Sequence, residues 1–293
     1  MSGIELTFLG TGTSNGVPVI GCGCETCSSP DSRDRRSRTS AFIRDPGGAG
    51  NAGRAGGIGD DSVVGPGDGP AAVTGDGNLG PGRTYLIDTA TELRLQVLAH
   101  GPARLDAVLM THAHADHTGG FDDLRRFNEM QRAHLPIYAN PVTAAALRER
   151  FAYAFADAFP FYGGKPDLTL HEVDGPFAPF GREIVPVPVF HGRLPILGYR
   201  IGTLAYVTDA KTIPAGSLDL LRGLDVLVLN ALREAPHPTH LSVSEALDVI
   251  AELRPRTAYL THLSHELRHA ETEDLLPAGV HVAHDGLTVR TGG

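Results

Sequence analysis

From Thr111 to Thr118 the chain reads Thr-His-Ala-His-Ala-Asp-His-Thr, which sets His112, His114, Asp116 and His117 within six residues. Imidazoles two apart on an extended strand share a side, so His112 and His114 can hold one divalent ion together. Asp116 and His117 lie past the end of the apolar run 107–110 and point elsewhere, toward a second ion nearby. A lone histidine here would read as a polar loop residue. Four ligand-type side chains after an apolar strand read as a metal centre, because crowding them carries a solvation cost that an ion offsets. A second cluster, Cys22-Gly-Cys24-Glu-Thr-Cys27, puts three thiols in six residues. Thiolates favour a closed tetrahedral zinc site. Three of them leave one ligand to find, and His265 is the candidate; a redox-active thiol group is the alternative.

The elements that must position further ligands are strands ending in a histidine or a carboxylate. Residues 184–190 alternate with prolines, the mark of an edge or bent strand, and close on His191, a third imidazole for the first ion. Residues 197–201 and 204–208 read as a hairpin around Gly202 whose second strand ends at Asp209. One carboxylate there can give an oxygen to each of two ions. The run 226–229 is a buried strand, and 259–261 is another that ends at His262, three residues before His265. His237 and His240 precede a helix over 243–253 that Ser242 and Glu245 open as a capping box. A capped strand end or a surface histidine is the plain alternative for each of these positions.

The rest of the chain supplies the frame. Residues 4–9 alternate as a half-buried strand, and the following 10–16 form a glycine turn whose amides could cradle a phosphate. Strands are expected at 40–44, 84–88 and 135–139, and helices at 93–100, 121–133 and 143–159. The last helix places Phe151, Phe155 and Phe159 in the core at four-residue steps, and Phe-Tyr-Gly-Gly at 161–164 is a loop that could border the pocket. Asp88, at a strand end, either caps a turn or supports a metal-bound histidine. Residues 280–283 and 287–290 read as a closing hairpin around Asp285-Gly286. Arg33, Arg35, Arg36 and Arg38 read as a solvated face rather than a substrate clamp. Residues 46–83 are mostly Gly, Pro, Ala, Asp and Asn, too poor in apolar surface to offset ordering entropy, so they are expected to be a flexible insertion without chemistry.

Composition narrows the class. The 293 residues are 41% apolar, enough for a sizeable core, and the net charge of −9 argues against a general nucleic-acid-binding surface. Three cysteines are too few for a disulfide framework. No apolar run reaches the roughly eighteen residues of a membrane span, and no leader precedes the first strand, so a cytoplasmic protein without membrane contact is expected.

The His-x-His-x-Asp-His run, followed in order by His191, Asp209 and His262, resembles the metallo-β-lactamase superfamily. The resemblance implies an α/β fold, one αββα sandwich domain over 1–293 made of two mixed sheets with flanking helices. It implies two divalent ions, zinc or manganese, at a hydrolytic site: His112, His114, His191 and Asp209 on the first, Asp116, His117, His262 and Asp209 on the second. Asp116 would also orient the attacking water, and His240 would be the acid, with His237 as the alternative. Within the superfamily the 10–16 loop, the cysteine cluster, Gly198-Tyr199, His240 and the run Leu260-Thr-His-Leu-Ser-His265 most resemble the PhnP-type phosphodiesterases, over all but 46–83. In that family a structural zinc is held as Cys22, Cys24, Cys27 and His265 would hold it. A small cyclic phosphodiester substrate, of the phosphoribosyl 1,2-cyclic phosphate or 2′,3′-cyclic nucleotide type, is implied by the resemblance alone, and a homodimer is common among relatives. A tRNase Z-type RNA 3′-processing nuclease shares the ligands but typically lacks the cysteines, and its RNA grip needs concentrated positive charge. A protein like the pyrroloquinoline-quinone biosynthesis protein B is the third reading.

Overall fold

The computed structural model describes residues 3–47, 82–156 and 164–292. Two sheets carry the fold. The first holds β1 (Glu5–Gly10), β2 (Ser40–Asp45), β3 (Arg83–Ile87), β4 (Ala107–Leu109), β5 (Leu135–Ala139) and β6 (Leu168–Glu172) in sequence order, with the final strand, β13 (Thr288–Arg290), outside β1. The second holds β7 (Ile184–His191), β8 (Leu194–Ile201), β9 (Leu204–Val207), β10 (Val226–Asn230), β11 (Thr257–Thr261) and β12 (Val280–Val282), also in sequence order. Both are mixed: β3 to β6 run parallel beside an antiparallel half, and β9 to β12 do the same beside the β7–β8 hairpin.

Strand periodicity divides the core into three layers. Val226 and Val228 of β10 face the other sheet with Tyr85, Ile87 and Leu109, whereas Leu227 and Leu229 face outward. There they meet Val243, Ala246 and Ile250 of a helix over Val243–Leu253. On the far side Leu86 and Val108 meet Leu93, Leu124 and Leu147 from helices over Leu93–His100, Leu124–Gln131 and Pro141–Arg150. Central strands buried on both faces read as unbroken apolar runs, which is why 226–229 lacks polar alternation. The result is the αββα sandwich expected of the sequence. Among the described residues no helix is long and apolar enough to cross a membrane.

Several local expectations need correction. The two closing strands are not a hairpin: β12 pairs with β11 in one sheet, and β13 pairs with β1 in the other. The Asp285-Gly286 turn therefore steps between layers. Asp285 is used instead as an acceptor, receiving the Thr11 amide at 2.9 Å and the Ser37 amide at 2.7 Å. The long helix over 143–159 is two pieces, Pro141–Arg150 and Ala152–Phe155, broken where Phe151 leaves helical geometry (φ −114°, ψ 38°). Its ring still stacks on Phe121 at 4.5 Å, and Phe155 follows at 6.2 Å. The helix expected over 121–133 opens with a tight turn at Phe121–Asp123 and ends at Gln131. Strand β6 and short helices at Ala215–Leu220 and His269–Leu275 carried no expectation. Residues 48–81 of the predicted insertion, Phe159 and the 161–163 part of the aromatic-glycine loop lie outside the described residues.

Leu227 is fully buried between β10 and its covering helix. Leu227→Ala should cost about 2–5 kcal/mol through lost transfer energy and a residual cavity. Urea unfolding followed by circular dichroism would measure this as a lower midpoint at unchanged slope.

Candidate metal-dependent active site

The site forms where strand ends from both sheets meet. His112 and His114 follow β4, and His117 sits on a single helical turn, Ala115–Thr118, that doubles the chain back. His191 closes β7, Asp209 follows β9, His262 follows β11, and His240 lies just before the Val243–Leu253 helix. Asp209 occupies the middle. Its Oδ2 is 3.3 Å from His117 Nε2, while its Oδ1 is 3.0 Å from His262 Nε2 and 3.1 Å from His240 Nε2. Four overlapping groups of ligand atoms lie within 4.8 Å of one another: His112 with His114 and His191; His112 with His117 and Asp209; Asp116 with His117 and His262; and His191 with Asp209 and His240. All seven residues read as ligands are thus brought together. His237 lies one ring farther out, its Nδ1 3.1 Å from His240 Nδ1.

The geometry is that of a cation site. His112 Nε2, His117 Nε2 and both nitrogens of His262 are buried without a hydrogen-bond partner. The close approaches of His117 and His262 to carboxylate oxygens lack hydrogen-bond direction, as expected of lone pairs aimed at a shared point. The far nitrogens of other ligands are anchored. Asp88 Oδ2 takes the His117 Nδ1 proton at 2.7 Å, and the same carboxylate accepts the Thr111 amide and hydroxyl, each at 2.7 Å. His191 Nδ1 donates to the Thr239 carbonyl at 2.8 Å. Each ring is turned so that Nε2 faces the centre, the orientation that metal ligation requires.

Electrostatics point the same way. Burial alone would lift the Asp209 carboxyl, but the His262 and His117 imidazoles hold it well below the usual carboxylate range. His117 runs opposite: burial disfavours its charge, yet Asp209 and Asp88 raise it well above an ordinary histidine. Burial and the neighbouring His117 drive His112 well below the usual value, leaving a neutral ring available as a ligand. Burial brings His240 down to about 4, against the opposing hydrogen bond to Asp209. Carboxylates of Asp88, Asp116 and Asp209 surround one imidazole, a field that a cation at the centre would neutralise.

The cysteine cluster also assembles. Cys22, Cys24, Cys27 and His265 offer four ligand atoms within 4.8 Å, with both Cys22 Sγ and Cys24 Sγ 3.4 Å from His265 Nδ1. The Cys27 amide and His265 bring the Cys24 thiol down to about 6, favouring the thiolate that zinc binds. Two readings near this cluster are corrected. Arg36 is not solvated: it is 1% exposed, donates to the Ser264 carbonyl at 2.8 Å and pairs with Asp34 at 3.4 Å. Nor can most of the glycine turn cradle a phosphate. The amides of Thr11, Gly12, Thr13 and Gly16 already donate to Asp285, Ser37, Leu263 and Thr13. Gly10 is required for close packing, since a Cβ there would sit 2.0 Å from the Arg38 carbonyl oxygen.

Residues 83–263 match the family model described as a Beta-lactamase superfamily domain. A solved structure described as a new diphosphatase from the PhnP family is similar with a TM-score of 0.78 and 39% identity, covering 98% of this chain and 97% of that one. An octanoyltransferase of Porphyromonas gingivalis is 38% identical over 284 residues, 96% of this chain but 50% of that protein, so the chain spans half the length of this relative. A ribonuclease Z of Nocardia farcinica is 28% identical over 268 residues, covering 68% of this chain and 86% of that protein.

Asp88→Asn keeps the shape but weakens the acceptor that orients His117. Affinity for a divalent ion at His117 should fall by about 10–100-fold. Competition against a chelator of known affinity would read this directly, and unchanged affinity would remove Asp88 from the metal centre.

Proposed function

The chain belongs to the metallo-β-lactamase superfamily, within which it is a PhnP-like metal-dependent hydrolase, and we propose that it cleaves small phosphodiesters, cyclic ribose phosphates among them. The observation that carries this reading is the convergence of two ligand groups on Asp209, with His240 facing the same carboxylate. The near full-length likeness to a PhnP-family diphosphatase turns it toward phosphorus rather than a carbonyl.

His112, His114 and His191 would hold one divalent ion and Asp116, His117 and His262 the other, with Asp209 between the two groups. Two such ions would acidify a water and neutralise charge building on the phosphoryl oxygens. Asp116 orients the attacking water. His240 presents Nε2 to the centre at 3.1 Å from Asp209 Oδ1, and beside an anionic phosphoryl group, which opposes the burial that lowers its pKa, it would give its proton to the departing oxygen. His237 stands behind it and does not face Asp209 among the contacts of that carboxylate, so His240 is the better acid of the two. The Cys22, Cys24, Cys27 and His265 group would hold a structural zinc.

The test is hydrolysis of bis(p-nitrophenyl) phosphate, a 2′,3′-cyclic nucleotide and a nucleoside diphosphate sugar, with and without added Mn²⁺ or Zn²⁺. Metal-dependent turnover of the diesters is expected, with a loss of about a hundredfold or more for His240→Ala on the cyclic nucleotide. Cleavage of a precursor tRNA together with silence on every small ester would replace this reading with the ribonuclease Z one.

A further inference from the structure

Thr239 touches three histidines at once, and no sequence motif singles it out. Its carbonyl accepts the Nδ1 proton of His191 at 2.8 Å. Its amide donates to His237 Nδ1 at 3.3 Å. Its hydroxyl lies 3.2 Å from that nitrogen and 3.0 Å from His240 Nδ1. Its methyl faces Gly192, where a Cβ would come within 3.0 Å of Cγ2, so side-chain growth there would push the threonine out of place.

A backbone N–H can only donate, so His237 Nδ1 accepts from the Thr239 amide and its ring carries its hydrogen on Nε2. The single lone pair of that nitrogen is then engaged, and the threonine hydroxyl faces His240 Nδ1 at 3.0 Å. A hydroxyl can donate or accept, so it holds the ring whichever proton Nδ1 carries. With Nδ1 anchored from behind, Nε2 is turned to the side of Asp209, 3.1 Å from Oδ1.

We propose that Thr239 is the positioning residue of the active site: its hydroxyl fixes the tilt of the acid His240, while its carbonyl fixes the ligand His191. The inference rests on His240 acting as the acid and adds what prepares it. The two contacts are separable, because a side-chain change removes the hydroxyl and leaves the carbonyl in place.

The experiment compares Thr239→Val, which keeps shape and backbone but lacks the hydroxyl, with Thr239→Ser, which keeps the hydroxyl. Each is assayed in the metal-loaded protein beside wild type and His240→Ala, on a diester with a p-nitrophenolate leaving group and on a 2′,3′-cyclic nucleotide with an alkoxide one. An activated phenolate leaves without an acid, whereas an alkoxide needs one. Thr239→Val should lower kcat on the cyclic nucleotide by about tenfold or more with little change in KM or in the phenolate reaction, and Thr239→Ser should restore it. Metal content should be unchanged in both variants, and the ¹⁵N side-chain signals of His240 in the zinc-loaded protein should be sharp in wild type and Thr239→Ser but exchange-broadened in Thr239→Val. Equal losses on both substrates, or wild-type His240 signals in Thr239→Val, would overturn the role of Thr239. A His240→Ala variant without leaving-group dependence would instead overturn the assignment of the acid, leaving the His240 ring signals to judge Thr239 alone.

Discussion

The structure depends on keeping one carboxylate charged in the dry space between two sheets. Asp209 is 2% exposed, and an isolated carboxylate so placed would be costly. Three imidazoles, His117, His240 and His262, come from three different elements to offset that cost. With both oxygens engaged, Asp209 ties the halves of the sandwich together: His117, on Oδ2, comes after β4, while on Oδ1 His262 follows β11 and His240 precedes the Val243–Leu253 helix. The polar centre in turn dictates where the strands stop. A strand that continued would carry its next backbone groups into the space the side chains need.

Backbone geometry at those stops is demanding. Asp88, Asp209 and His262 all have φ between 56° and 58°, a region that residues with a Cβ enter at a cost. Each comes just after a strand, and each has a side chain in the central cluster: Asp88 meets His117, and Asp209 meets His262. Fixed partners hold the bends: Thr111 donates twice to Asp88, the Asn230 amide brackets Ala210 with bonds of 2.7 and 3.0 Å, and Leu263 is tied to Thr11 and Thr13. Strain at three converging strand ends is a sign of rigidity at the point of chemistry, since loose ends would relax.

The ligand run at 112–117 and the strand-end residues His191, Asp209 and His262 were legible in the sequence because apolar runs mark strands and the chemistry follows at their ends. The capping box before Val243 was legible too, and both its hydrogen bonds are present. What could not be read has a common physical origin. Arg36 looked like one of a solvated charge run because its acceptor, the Ser264 carbonyl, lies 228 residues away. β12 and β13 looked like a hairpin because an Asp-Gly turn reports a local reversal and not which sheet each arm joins. Strand β6 has almost no buried face to betray it, being an edge strand with alternate residues in solvent. Thr239 was invisible because its role is made wholly of contacts to other rings.

His265 and His262 share one short loop, and that loop meets the first forty residues of the chain through Leu263, bonded to Thr11 and Thr13, and through Ser264, bonded to Arg36. Cys22 and His265 are 243 residues apart in sequence yet meet at 3.4 Å. A metal ion holding them would be a reversible cross-link between distant parts of the chain, and closing so long a span removes a large share of the unfolded chain's freedom. The same link would tether the loop that carries His262 to the N-terminal segment through Leu263 and Ser264. Release of that ion would slacken the loop around His262 while both sheets stay paired, so the site would loosen before the fold was lost.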